Sequence, residues 1–161
     1  MKMKPTYVVK HRRRREGKTD YRKRLKLLLS GKPRFVVRKT NKYIICQYVV
    51  SKEGQDKVLK QVNSKVLAKY GWKGSFKNLP AAYLTGYLLG KLVGKKEAIL
   101  DMGLYPSTKG SRIYAALKGA LDAGMKIPHD EEVLPPEDRI KGKHINDEVV
   151  KLFEEVKGRL K

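Results

Sequence analysis

Acidic residues are scarce in this chain. There are 16 Asp and Glu against 38 Lys and Arg, which leaves a formal charge of +22 over 161 residues. Self-repulsion of that size is relieved by a polyanion, so the candidate partners are nucleic acid, an acidic membrane surface or an acidic protein. Cysteine is nearly missing. Cys46 alone excludes an intrachain disulfide, and its apolar surroundings predict a buried, inert thiol. The three histidines, His11, His129 and His144, are too far apart to follow a zinc-ligand spacing. Long apolar runs are also missing. Pro80–Gly90 is the most apolar stretch, and it falls well short of the roughly 20 residues that span a bilayer. No apolar run follows the basic N-terminus, so a secretory signal is not expected. These absences lead us to expect a soluble, intracellular protein with no membrane partner, metal, cofactor or small-molecule substrate.

The charge that is present is unevenly placed. Residues 1–50 carry 17 Lys and Arg against two acids, whereas residues 51–161 carry 21 against 14. One end therefore holds most of the electrostatic footprint. At 40% hydrophobic, the chain can still build one modest core. Residues 1–18 are polar and basic, and four adjacent arginines repel one another, so this arm is expected to be extended and mobile. Thr19 or Asp20 then caps a helix running to about Ser30, with Leu25, Leu28 and Leu29 as its apolar stripe. Arg22, Lys23 and Arg24 lie in its first turns, where the helix dipole disfavours cations by a few tenths of a kcal/mol each. Local stability does not explain that placement, but an anionic partner does.

Residues 34–38 and 43–50 read as a β-hairpin with the basic tip Lys39-Thr40-Asn41-Lys42. Arg34, Val36 and Arg38 share one strand face, which is expected to be outward, and Phe35 and Val37 share the other. Residues 53–72 fit either of two patterns. Val58, Leu59, Val62, Val66 and Leu67 make a helical stripe, or Lys57–Asn63 is a third strand and Ser64 caps a short helix ending at Gly71. Periodicity leaves both open; the strand is adopted partly on the resemblance below. Asn78 and Pro80 start a helix to about Val93 that is apolar almost all round and so well buried. In it, Gly86 and Gly90 permit a close neighbour. Glu97–Met102 reads as a short strand, and Thr108 or Ser111 caps a helix ending at Gly124. Residues 126–145 show little periodicity, and Asn146–Leu160 is a final helix supported by i,i+4 charge pairs. The expected fold is α/β, a mixed sheet in β-β-β-α-β-α order. It divides into a basic arm and helix over 1–31, a core over 32–125 and a C-terminal extension over 126–161.

Three constellations could carry function. The first is the basic arm with its helix and hairpin. Guanidinium groups bind phosphate oxygens bidentately, and Tyr7, Tyr21, Tyr43 and Tyr48 lie among the charges as possible stacking platforms for splayed RNA bases. The same tyrosines equally suit half-buried packing in strands. The expected RNA-binding set is Arg12, Arg13, Arg14, Arg15, Lys18, Tyr21, Arg22, Lys23, Arg24, Lys26, Arg34, Arg38, Thr40, Asn41, Lys42, Lys109 and Arg112. Lys109 and Arg112 form the second constellation. They flank a helix start that fits a phosphate site and an ordinary capped helix equally. Nucleotide hydrolysis there is rejected, because a phosphate loop counted from Gly103 needs glycine at Thr108. The third is Asp101 at a strand end, with Glu97 and Asp122 near in sequence. Two-metal nucleases use strand-end carboxylates in this way, but no second carboxylate is securely placed beside Asp101.

Several motifs in order resemble one family. They are His11-Arg12-Arg13-Arg14-Arg15-Glu16-Gly17-Lys18-Thr19-Asp20-Tyr21 leading into Arg22–Leu29, Arg34–Arg38 with Thr40-Asn41, Pro80–Gly86, and Leu100-Asp101-Met102-Gly103-Leu104. Gly110–Gly119, Ile127-Pro128-His129 and Asp138–Ile145 follow. The chain resembles the ribosomal protein L eighteen family of the large subunit in its archaeal form, over roughly residues 5–145. The resemblance implies a core like the ribonuclease H type of sheet and a structural, non-enzymatic role in the cytoplasmic ribosome. It implies that the arm and one sheet face grip 5S rRNA in the central protuberance. There the protein links 5S rRNA to 23S rRNA, beside ribosomal protein L five. It also puts the arm arginines, Arg34, Arg38 and Asn41 on RNA-facing segments, and makes residues 146–160 a variable tail. The alternatives are a non-ribosomal RNA-binding or assembly protein and, more remotely, a metal-dependent nuclease.

Overall fold

Four strands form one mixed sheet in the computed structural model, which describes residues 8–160. Tyr7 and the first residues of the expected arm lie outside the described residues. Strand β1 (Arg34–Lys39) pairs antiparallel with β2 (Ile44–Lys52), as the alternation predicts. The hairpin tip is closed by Thr40, whose N–H donates to the Tyr43 carbonyl at 2.8 Å and whose hydroxyl accepts from the Tyr43 N–H at 2.9 Å. Glu53 and Gly54 both take positive φ, 52° and 79°, in a tight turn that leads into β3 (Gln55–Asn63). The strand reading of residues 57–63 is therefore the one realised. The apparent helical stripe is not one face, because Val62 and Leu67 are buried while Val58 and Leu59 are exposed.

A fourth strand, β4 (Ile99–Asp101), runs parallel to β1 and completes the order β3-β2-β1-β4. It is shorter than the six residues expected. The Ile99 N–H donates to the Pro33 carbonyl at 2.9 Å, and Pro33 has no N–H with which to continue the ladder. Glu97 instead forms an isolated bridge to Lys126.

One face of the sheet builds the core. Phe35, Val37, Ile44, Cys46, Tyr48 and Val62 pack against two helices, α3 (Leu79–Val93) and α4 (Arg112–Asp122). Asn78 caps α3, its Oδ1 accepting from the Ala81 N–H at 2.9 Å, and every residue from Leu79 to Gly90 is buried. The two helices touch backbone to backbone. A Cβ on Gly86 would collide with the Ala116 carbonyl oxygen, and one on Gly119 with the Tyr83 carbonyl oxygen. Cys46 is fully buried, and burial pushes its thiol pKa up, which suits the inert reading.

Later segments join the same core. The 126–145 stretch holds a 3-10 turn at Glu131–Val133 and a short helix, α5 (Glu137–Lys141), which buries Ile140. The last helix, α6 (Asp147–Arg159), buries Phe153 and Val156, with Leu160 just beyond. Its Lys157 donates to the Tyr83 hydroxyl at 2.8 Å, and that hydroxyl donates to Asp122 at 2.7 Å. Burial, then the bond to Asp122, raises the Tyr83 pKa.

The arm departs from expectation. Arg12–Arg15 form one helical turn, α1, rather than an extended segment. The turn places Glu16 between Arg12 at 3.7 Å and Lys18 at 2.9 Å, and Arg13 Nε donates to Thr19 Oγ1 at 2.8 Å. Local neutralisation thus offsets part of the arginine repulsion. Helix α2 (Tyr21–Leu29) follows, capped by Asp20. Its leucine stripe is not a core face. Leu25 is 57% and Leu29 77% exposed, and Leu27 is the leucine that faces the sheet.

Candidate nucleic-acid interface

The alternation in β1 places Arg34, Val36 and Arg38 opposite the core. The expectation that this face is outward fails for Arg34. The arm and α2 stand over the face and leave a cleft of about 260 Å3, with Lys18, Lys23, Arg24 and Leu27 on one side and the β1 arginines on the other. Arg34 is only 3% exposed. Its guanidinium donates to Asp101 Oδ2 at 2.8 Å, to Ser51 Oγ at 3.0 Å, and lies 2.6 Å from Asp56 Oδ1. A buried charge needs such partners, and the fold supplies them in place of an external anion.

The network continues to both sides. Arg38 donates to Asp101 Oδ1 at 2.8 Å and to the Asp101 carbonyl at 2.7 Å. From α2, Arg24 donates to Asp56 Oδ2 at 2.8 Å. The chain Arg24–Asp56–Arg34–Asp101–Arg38 therefore ties α2 to three strands through three cations and two anions. Burial alone would push the Asp101 pKa up. Arg38 opposes this first, then the Gly103 N–H at 2.8 Å and Arg34, and the carboxyl ends below its ordinary value. Burial also raises Asp56, but its bonds from Arg24, Ser51 and Arg34 outweigh that and hold it well below the usual carboxylate range. The bond to Asp56 in turn raises the Arg24 pKa.

These pairings sort the expected RNA-binding residues. Arg24, Arg34 and Arg38 carry the internal network, with Arg24 and Arg38 only half-buried. Arg14, Arg15, Arg22, Lys23, Lys26 and Lys42 are exposed and make no ion pair among the described residues. Arg12 and Lys18 share Glu16, and Arg13 is held by Thr19. Thr40 and Asn41 stand exposed with Lys42 at the hairpin tip. Tyr21 is half-buried beside His11, ring centroids 5.4 Å apart. Tyr43 packs on Phe76, and Tyr48 is buried with its hydroxyl on the Glu97 carbonyl, so Tyr48 presents no face for stacking. Lys109 pairs with Glu132 at 2.7 Å, and Arg112 donates to the Lys77 carbonyl at 3.1 Å. Neither lines the arm cleft. Asp56 and Ser51, which hold Arg34, carry no motif, and they meet only through the pairing of β3 with β2.

The carboxylates do not gather into a metal site. Both Asp101 oxygens are taken by arginines, Glu97 is exposed and near Lys32, and Asp122 pairs with Tyr83 and Lys118. Among the described residues no group of three His, Cys, Asp or Glu could hold a metal ion. No helix there is long and apolar enough to cross a membrane.

Comparison with known proteins bears out the family resemblance. The family described as ribosomal large subunit proteins 60S L5, and 50S L18 matches residues 5–99 and 93–130. A large ribosomal subunit protein uL18 from Korarchaeum cryptofilum is 62% identical over 152 residues, covering 92% of this chain and 78% of that protein. The uL18 of Methanoregula boonei is 49% identical over 166 residues, covering 98% and 95%. That of Methanospirillum hungatei is 51% identical over 144 residues, covering 88% and 82%.

Proposed function

The chain belongs to the family of large-subunit ribosomal proteins that comprises 60S L5 and 50S L18, and from that membership we propose that it clamps 5S rRNA in the cytoplasmic ribosome. The observation that carries the reading is the division of labour among the cations. Arg24, Arg34 and Arg38 are spent on the internal network, in which the Arg24–Asp56 pair ties α2 to the sheet. That leaves Arg14 and Arg15 exposed on the arm, Arg22, Lys23 and Lys26 exposed on the helix that Arg24 ties to the sheet, and Lys42 on the hairpin tip. Phosphate contacts from such groups fix register and supply most of the affinity. In this reading the protein links 5S rRNA to 23S rRNA in the central protuberance, beside ribosomal protein L five. Its role is structural rather than catalytic, since Asp101 serves as an arginine anchor.

The test is a binding titration of 5S rRNA over a range of salt. The parent should bind tightly, with affinity falling steeply as salt rises. Replacing Arg12, Arg13, Arg14 and Arg15 together by Gln should reduce the slope of log affinity against log salt by about two to four, at roughly 0.7–0.9 for each phosphate that is no longer neutralised. An unchanged slope and affinity would mean that the arm does not hold the RNA.

A further inference from the structure

A second cleft, about 490 Å3, opens where the first turns of α3 and α4 meet the end of β1. Lys39, Lys77, Arg112, Arg139 and His144 line it, and no Asp or Glu does. None of the five makes an ion pair among the described residues. They come from β1, the loop before α3, the start of α4, α5 and the loop after α5. The fold assembles them, so the cluster is not a local charge run. Gathering cations without a counter-charge costs Coulomb energy that a bound anion would recover.

The floor of the cleft adds donors. Ser111 Oγ is buried, lines the cleft and has no hydrogen-bond partner. It stands at the N-cap of α4 without capping it, so the first N–H groups of α4 lack a partner within the helix. At the neighbouring helix start, Asn78 fills that role for α3. Unfilled N–H groups, a buried hydroxyl and four strong cations match the oxygens of a phosphate.

We propose that this cleft is a second phosphate site that takes the RNA backbone independently of the arm. The proposal rests on the RNA-binding reading above and extends it to a cleft that shares no lining residue with the arm cleft. Arg38 lines the first cleft and Lys39 the second, on opposite faces of β1. The strand end therefore separates this cleft from the arm cleft, and the exposed tip at Thr40–Lys42 lies next to both in the chain. At about 490 Å3 the cleft has room for a phosphate or two with their riboses.

The experiment is an amide NMR titration of the full chain in low-salt chloride buffer, with inorganic phosphate in one arm and an eight-residue oligouridylate in the other. Both should shift the amides of residues 111–114 saturably, the oligonucleotide at a concentration at least about tenfold lower, because several phosphates act together. The K77Q/R139Q double variant changes two exposed side chains and should weaken those shifts about tenfold or more, while the amides of residues 12–26 respond as in the parent. Silence at residues 111–114, or shifts there that ignore the double variant, overturns the site. Equal affinity for phosphate and oligonucleotide overturns the RNA assignment in favour of a free-phosphate site. The salt titration above separates the two readings. If the chain binds 5S rRNA through its arm there and the cleft amides stay silent here, only this inference fails, whereas loss of 5S binding as well removes the 5S reading.

Discussion

Asp101 holds two guanidiniums at 2.8 Å in a place where burial alone would favour its neutral form. Asp56 holds Arg24 and Arg34 in the same way. Both carboxyls are depressed in the folded protein, so between their folded values and the ordinary carboxylate range the unfolded chain binds more protons. Stability therefore rises with pH through that window. It is fully present above about pH 4, the unfolded carboxylate range, and is lost as pH falls through the folded values. Urea unfolding at a series of pH values should show a midpoint that drops steeply in acid. Asp101→Asn leaves buried Arg34 short of a counter-charge and should cost about 3–5 kcal/mol at neutral pH, with a shallower acid dependence. An acid slope equal to the parent's would show that Asp101 is not a group whose protonation drives the loss.

The crossing of α3 and α4 is set by missing side chains. Gly86 sits on the Ala116 backbone and Gly119 on the Tyr83 backbone, so neither position has room for a methyl group. Gly86→Ala should destabilise by about 1–3 kcal/mol through overpacking. Gly158, at an exposed position of α6, meets nothing within 4 Å of an added Cβ, and Gly158→Ala should stabilise by roughly 0.8–1 kcal/mol through helix propensity. Denaturant midpoints of the two variants should move in opposite directions, and a shift of the same sign in both would break the packing account. The spacing of Gly86 and Gly90 within one apolar helix was legible in the sequence. The reciprocal role of Gly119 was not, because it depends on where a second helix lies. The same limit applies at the site. Alternation in β1 showed that Arg34 and Arg38 share a face, but not that α2 stands over it. Nor did residues 55–63 reveal Asp56, whose partners lie in α2 and β1. Exposed Val58 and Leu59 supplied a false helical stripe, since period alone does not say which apolar residues reach the core.

The overall charge of +22 and the architecture make opposite predictions at Asp56, and this allows them to be separated. By net charge, Asp56→Asn makes the protein more basic and should tighten RNA binding, most visibly at low salt. By architecture, Asp56 is the acid through which α2 is tied to the sheet, joining Arg24 to Arg34. Losing it loosens α2, none of whose residues is fully buried. Exposed cations bind RNA best when they are held in register, because a loose helix must be ordered again on binding at an entropic cost. The structural term should win near physiological salt, where the Debye length is about 8 Å and one added charge is largely screened. Asp56→Asn should therefore lower 5S rRNA affinity, mainly through faster dissociation, and speed amide exchange across Tyr21–Leu29. Tighter binding with unchanged exchange would mean that charge alone governs recognition and that the arginine network is incidental to it.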